Sequence, residues 1–374
     1  MMQRVSTGVL AVLAVLVTAP AFADSVDDYV LTEMSKRRIP GLALAVIDHG
    51  KVMKQKVYGF ANLELRAPTE LQSSFAIASL TKVFTAAAVM KLVDRGLLTL
   101  DESVTQKLTN LPSAWSAVTV RHCLDHMSGL PDALDELEQI RATDGATLLR
   151  ILAQLPVEKP GSRSRYNQTG FILLAMLVEK ISGRPLEEFV ANEILKPLGM
   201  NDTRYADSRD VVPRKVTGYT TFVPSDDRKD FAWVTGMPAQ SATDIYVNYS
   251  TFPRLEHACG GLISTVGDLI KFDQAIDAGL ALSPQGLRAT MSPAKLNDGT
   301  VSLYSLGWTV GNSRGWIPGD DDAGFHFMAF GGANSVTYWR FPDDKATVIV
   351  LTNLQGSDPH TIALNIAKRY IQKP

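Results

Sequence analysis

Residues 75–82 read Phe-Ala-Ile-Ala-Ser-Leu-Thr-Lys. Ser79-x-x-Lys82 opens an apolar stretch in which Val83, Phe84, Ala87, Met90 and Leu92 recur near helical spacing, until Gly96 stops it. The pattern predicts a helix from about Ser79 to Asp94. Residues three apart share a helical face, so an ammonium at 82 can reach a hydroxyl at 79. A serine in the first turn also lies near the positive end of the helix dipole, which favours developing negative charge. The bland alternative is a serine cap followed by an incidental lysine. Ser292-Pro293-Ala294-Lys295 has the same spacing, but Pro293 and Asn297-Asp298-Gly299 put it in a turn.

Upstream, Val26 to Arg37 predicts a short helix ended by Pro40-Gly41. Leu42 to Ile47 and Val52 to Phe60 have strand character, and Asp48-His49-Gly50-Lys51 between them is a hairpin signal. Downstream the pattern is helical to about Leu198, with breaks at Gly129-Leu130-Pro131, Pro160-Gly161 and Ser182-Gly183. Pro224 to His257 has no clear period and carries Phe231, Trp233, Tyr246, Tyr249 and Phe252, as site-lining loops do. Strand character returns at Tyr304 to Val310, Phe325 to Phe330, Ser335 to Phe341 and Ala346 to Asn353, before a closing helix over Pro359 to Ile371. This order predicts an α/β (α+β) fold. An antiparallel sheet is drawn from both chain ends and flanked by helices, with a mostly helical subdomain inserted. The expected division gives 24–95 and 257–374 to the sheet-containing part and 96–256 to the mostly helical part.

The 374 residues are 45% hydrophobic and 20% charged, ordinary for a globular chain that buries its core without disulfides or metals. Lys and Arg total 37 against 39 Asp and Glu, so no basic excess exists to grip nucleic acid or an anionic membrane. Small molecules or peptides are the expected partners. Arg4, the apolar run Val9 to Val17 and Ala21-Phe22-Ala23 have the form of a secretory signal peptide over 1–23. The run is shorter than the roughly 20 residues of a membrane span. Export to the periplasm or medium is therefore expected. Cys123 and Cys259 read as small buried side chains, although export permits a disulfide.

Tyr166-Asn167-Gln168 follows Pro160-Gly161 and precedes an apolar helix, Phe171 to Ile181. A tyrosine beside a lysine can act as a base, because the cation stabilises phenolate. The alternatives are a packing tyrosine at a helix start and the rival Tyr246-Val247-Asn248, which no helix follows. Gly311-Asn312-Ser313-Arg314-Gly315 spells G-x-S-x-G, but Trp316-Ile317-Pro318-Gly319 cannot begin the long helix a nucleophile elbow needs. His122 and His126 are four apart, yet the glutamate of H-E-x-x-H is missing and no third ligand is evident. No metal or other cofactor is expected.

Taken together, these segments resemble the serine β-lactamase and DD-peptidase superfamily, in the branch of class C β-lactamases, family VIII carboxylesterases and related D-amino-acid peptidases. Phe75 to Lys82 is similar to its first motif, Thr119 to Leu130 to its T-V-R-H-L-L-T-H-T-S-G-L segment, and Tyr166 to Leu174 to its second motif. Pro197 to Met200, Gly260 to Thr265 with Asp268-Leu269, and Val348 to Asn353 continue the likeness over nearly the whole chain. The resemblance implies an acylated Ser79, with Lys82 and Tyr166 handling its proton and Gln168 in support, in a cleft between sheet and helical parts. Two departures matter. Gln168 stands where Asn is usual. The third motif, K-T-G or H-x-G, is replaced by Phe327-Met-Ala-Phe-Gly-Gly-Ala333, with Ala329 or Phe330 in place of the cation. The resemblance still leaves Gly331, Gly332 and Ala333 to supply an oxyanion N–H, while His326 fills the missing role only through a register shift. Loss of the cation favours an esterase or D-amino-acid peptidase over an efficient β-lactamase. It also motivates a rival expectation, a non-catalytic binding protein on the same scaffold.

Overall fold

The computed structural model describes residues 25–133, 145–207, 210–222, 241, 243–248, 254–311, 326–331 and 334–370. Its strands are β1 (Gly41–Asp48), β2 (Lys51–Asn62), β3 (Ala67–Pro68), β4 (Phe75–Ala76), β5 (Arg204–Tyr205), β6 (Tyr219–Thr220), β7 (Tyr246–Val247), β8 (Leu262–Ser264), β9 (Tyr304–Ser305), β10 (Trp308–Gly311), β11 (His326–Gly331), β12 (Val336–Phe341) and β13 (Ala346–Thr352). Strands from the two chain ends form one antiparallel sheet in the order β3-β2-β1-β13-β12-β11-β10-β9. The hairpin expected at 48–51 is present. His49 and Gly50 have φ of 48° and 74°, the double positive φ that matches a two-residue turn to the strand twist.

β1 shows why the sheet sits in the middle of the molecule. Its residues from Gly41 to Ile47 are all buried, because both faces are covered. Leu42, Leu44 and Val46 pack with Val26 and Val30 of the helix Ser25–Arg37 and with Ile362 and Ile366 of the closing helix Pro359–Tyr370. Ala43, Ala45 and Ile47 join Phe84, Leu269 and Phe272, from the helices Thr81–Asp94 and Val266–Asp277, on the other face. Full burial of each large apolar side chain contributes about 1.5–3 kcal/mol, so register is fixed by two cores at once.

Among the described residues the inserted part consists of separate short helices and one long one. Val120–Leu124 packs on Gln168–Ser182, which in turn lies against the helix Thr81–Asp94. Gly170 lets Gln168–Ser182 approach Val120–Leu124: a Cβ there would lie 3.2 Å from the Cys123 Cα. Most of the aperiodic stretch 224–257, and residues 312–315 of the G-x-S-x-G sequence, lie outside the described residues. No described helix is long and apolar enough to cross a membrane.

Candidate active site

Ser79 precedes the helix instead of standing inside its first turn. β4 pairs with β8, the Ile77 N–H donates to the Leu262 carbonyl at 3.0 Å, and Ala78 then takes a φ of 43°. A non-glycine residue in that region is strained and persists only where its surroundings hold it. Residues Ala78–Leu80 make a 3-10 turn, and the α-helix begins at Thr81. In a 3-10 turn side chains three apart eclipse, so the Ser79–Lys82 spacing still brings them to one side. Ser79 is partly exposed, while Ala78, Leu80 and every residue from Thr81 to Met90 are buried. The turn therefore presents one hydroxyl.

Lys82 is 2% exposed. Its Nζ donates to the Cys259 carbonyl at 3.0 Å and lies 3.4 Å from Ser79 Oγ, a long contact of the kind resting sites show before substrate tightens them. The ammonium also sits 4.7 Å from the Tyr166 ring centroid and 5.5 Å from that of Phe171, where the ring faces attract a cation. The segment that supplies the Cys259 carbonyl is tied to the same helix twice more. Thr85 Oγ1 donates to the Ala258 carbonyl at 2.8 Å, and Thr81 Oγ1 accepts from the Leu262 N–H at 3.1 Å. On the neighbouring Lys82–Ala86 face Gly307, at φ 88°, approaches so closely that a Cβ would lie 2.7 Å from Ala86 Cβ and 3.3 Å from the Lys82 carbonyl oxygen.

Tyr166 is held by its neighbours in sequence. Asn167 caps the helix Gln168–Ser182: its Oδ1 accepts from the Gly170 N–H at 2.9 Å and its Nδ2 donates to the Leu130 carbonyl at 3.0 Å. The Asn167 N–H donates to His126 Nδ1 at 3.1 Å. The His126 ring packs at 4.6 Å on Tyr166, 4.6 Å on Tyr304 and 5.1 Å on Phe171. Burial and the positive charge of Lys82 push the His126 pKa well below its usual value, so it is a neutral acceptor and a packing surface. Among the described residues the buried Tyr166 hydroxyl has no hydrogen-bond partner, and the same is true of Gln168 Oε1. Ser79, Lys82 and the Tyr166 ring are thus brought together, with the phenolic oxygen uncommitted.

The sequence reading passed over three features that complete the surroundings. Asp125 Oδ1 accepts from the Leu306 N–H at 2.6 Å, and burial pushes this carboxyl up to about 7. Asp132 Oδ1 accepts from the Gln168 N–H at 3.1 Å. Glu256, 2% exposed, has its carboxyl pushed up to about 7 by burial, with Lys82 acting to lower it and Asp132 to raise it. Spacing gave no signal for Asp125 or Glu256; Asp132 does directly follow the Gly129-Leu-Pro131 break.

The third-motif strand, β11, packs against the 3-10 turn that carries Ser79. Its register sets Ala329 opposite Tyr338 and Gly331 opposite Val336, two residues of the core beneath the Ser79 helix. Phe330 instead opposes Thr337, and His326 opposes Gly311. Strand positions alternate between faces, so His326 shares the parity of Phe330 and not that of Ala329 and Gly331. Gly332 and Ala333 lie outside the described residues. The other candidates fall elsewhere. Ser292 donates to the Arg288 carbonyl at 3.0 Å and Lys295 bridges to Val301; Tyr246 is in β7, paired with β6. His122 Nδ1 accepts from the Thr119 N–H at 3.2 Å and closes a capping box, a different task from that of His126. Among the described residues no cluster of three or more His, Cys, Asp or Glu could hold a metal. Both cysteines are free and buried.

The Beta-lactamase family profile matches residues 26–373. Penicillin-binding protein 4* of Bacillus subtilis (strain 168) is 28% identical over 343 residues, covering 90% of this chain and 73% of that protein. The octameric penicillin-binding protein homologue from Pyrococcus abyssi superposes with a TM-score of 0.72 at 26% identity, over 92% of this chain and 76% of that one. D-amino acid amidase from Ochrobactrum anthropi SV3 shares the fold, with a TM-score of 0.71 at 23% identity, over 92% of this chain and 100% of its own. With the matched region spanning residues 26–373 of 374, the chain belongs to the Beta-lactamase family, within the serine β-lactamase and DD-peptidase superfamily of serine hydrolases.

Proposed function

We propose that the protein is an exported hydrolase that works through a Ser79 acyl-enzyme on ester, amide or lactam carbonyls, with esters and D-amino-acid peptides or amides as better substrates than β-lactams. The observation that carries this reading is the position of Lys82 Nζ, held by the Cys259 carbonyl at 3.0 Å with Ser79 Oγ 3.4 Å away and the Tyr166 ring against it. Tyr166 and Lys82 take the Ser79 proton as its oxygen attacks the carbonyl. The tetrahedral oxyanion is met by the Ser79 N–H and by a second N–H assigned from sequence to Gly332 or Ala333, each donor contributing about 3–4 kcal/mol. The proton then passes to the leaving group, and water, deprotonated by the same pair, releases the acyl group.

The substrate preference follows from the third motif. At Ala329 and Phe330 the strand offers no cation to pair with the carboxylate that β-lactams carry, and a charged hydrogen bond of that kind is worth about 1.5–3 kcal/mol. Export rests on the signal-like sequence of residues 1–23. The test is a side-by-side panel of p-nitrophenyl acetate and butyrate, a cephalosporin and D-alanyl dipeptides, run on the protein and on Ser79→Ala. Ester or peptide turnover that disappears in Ser79→Ala is expected. No Ser79-dependent turnover of any member would leave the scaffold a binding protein.

A further inference from the structure

We propose that His126 is the positioning residue for Tyr166: its imidazole holds the backbone on which the phenol stands and keeps that ring against Lys82 during proton transfer. This rests on the Ser79 reading above and adds a residue to its proton-handling pair. His126 follows the short helix Val120–Leu124 and has a φ of 54°, a left-handed conformation that histidine and asparagine tolerate better than bulkier side chains. The turn brings its two acceptors to either side of Tyr166. The His126 carbonyl accepts from the Arg165 N–H at 2.8 Å, and Nδ1 accepts from the Asn167 N–H at 3.1 Å. The residues before and after the phenol are therefore bonded to one residue.

The imidazole itself packs at 4.6 Å on the Tyr166 ring, and Lys82 Nζ lies 4.7 Å from the centroid of the same ring. Tyr304 at 4.6 Å and Phe171 at 5.1 Å close on the imidazole in turn. The turn is also anchored beyond Tyr166. The Leu124 carbonyl accepts from the Gly307 N–H at 3.0 Å, and Asp125 Oδ1 accepts from the Leu306 N–H at 2.6 Å. Tyr166 needs such a hold, because its hydroxyl has no hydrogen-bond partner among the described residues to fix where it points. Its placement falls to the ring contacts and the backbone. A reacting group misplaced by about 1 Å can lose about a hundredfold in rate.

Filling space here would not demand a histidine. A leucine or phenylalanine occupies a similar volume but offers no acceptor, and would leave the N–H of the buried Asn167 without its bond. Nδ1 accepts only while it carries no proton, so the hydrogen of the neutral ring sits on Nε2. Burial and the charge of Lys82 both oppose a second proton, which would set a donor against the Asn167 N–H. A merely structural histidine predicts the same loss of activity with or without a hydroxyl at position 166. A positioning residue predicts a loss that depends on that hydroxyl.

The experiment is a double-variant cycle on kcat and KM for p-nitrophenyl butyrate, using His126→Gly, His126→Asn and Tyr166→Phe. Glycine removes the side chain and adopts a positive φ freely. Asparagine also tolerates that φ and keeps an oxygen acceptor near the place of Nδ1. His126→Gly is expected to lower kcat by about tenfold or more with KM within about threefold, but by less than about twofold in the Tyr166→Phe background. His126→Asn should keep kcat within about threefold of the parent. An equal loss in both backgrounds, or His126→Asn as impaired as His126→Gly, overturns the proposal. Amide hydrogen exchange in the Ser79→Ala protein reads the clamp without turnover. Exchange at Asn167 should quicken about tenfold or more with His126→Gly and stay near the parent rate with His126→Asn. Unchanged exchange in His126→Gly overturns the proposal even where the ester is hydrolysed; the expected exchange without any ester hydrolysis sinks the Ser79 reading and not the clamp. If His126→Gly does not fold, His126→Asn decides alone: retained kcat supports the proposal, and a loss of about tenfold or more overturns it.

Discussion

Gly307→Ala should injure stability and turnover together, because one methyl group meets the backbone of the lysine that faces Ser79. Gly307 has φ of 88°, and an added Cβ would fall 2.7 Å from Ala86 Cβ and 3.3 Å from the Lys82 carbonyl oxygen. The backbone conformation costs a side chain about 1–2 kcal/mol, and forcing a methyl into a packed site costs about 1–3 kcal/mol. Neither wall yields easily. The Gly307 N–H is bonded to the Leu124 carbonyl at 3.0 Å, the Leu306 N–H to Asp125 at 2.6 Å, and Ala86 is 2% exposed within its helix. The variant should therefore lose about 2–5 kcal/mol in urea denaturation with an unchanged m-value. Displacement of Lys82 should also lower kcat/KM for a short p-nitrophenyl ester by tenfold or more. Ala86→Gly removes the atom struck while leaving the φ cost, so the double variant should recover about 1–3 kcal/mol relative to additivity. A Gly307→Ala protein within 1 kcal/mol of the parent, or a strictly additive double variant, would refute the reasoning.

Tyr166→Phe removes a hydroxyl that has no hydrogen-bond partner among the described residues. Its unfolding free energy should stay within about 1 kcal/mol of the parent while kcat falls by about a hundredfold or more; equal turnover would remove Tyr166 from proton handling. Asp125 pays for burial when ionised: its carboxyl rises from the ordinary 3.8 to about 7 on folding, so the folded state binds the extra proton between those values and stability falls as pH rises through that window. Asp125→Asn keeps an acceptor for the Leu306 N–H and should be more stable by up to about 4 kcal/mol at pH 8, the gap closing towards pH 4. A pH-independent difference in urea titrations would contradict it. Burial pushes both cysteine thiols up to about 12, so iodoacetamide and reductant should leave native activity unchanged; rapid alkylation with loss of activity would be the contrary result.

Periodicity made much of the scaffold legible. The alternation of β1, the positive-φ turn at His49-Gly50 and the apolar spacing after Ser79 each encode local geometry, and they sufficed for a sheet drawn from both chain ends. The start of the Ser79 helix was misplaced by two residues. Propensity sees no reason for Ala78 to adopt φ of 43°; the β4–β8 pairing and the Ile77–Leu262 bond impose it. The anchors of Lys82 were equally invisible, since a carbonyl such as that of Cys259 has no side-chain signature. Glu256 lies at the end of the stretch without period, where neither helix nor strand spacing predicts what a carboxylate faces.

Fluorophosphonate labelling followed by intact-mass and peptide mapping probes the central claim at the reacting atom. A single phosphonyl adduct per chain on Ser79, absent from Ser79→Ala and slowed in Lys82→Met, is the predicted outcome. Recovery of the unlabelled protein, or an adduct on a different residue, would contradict it.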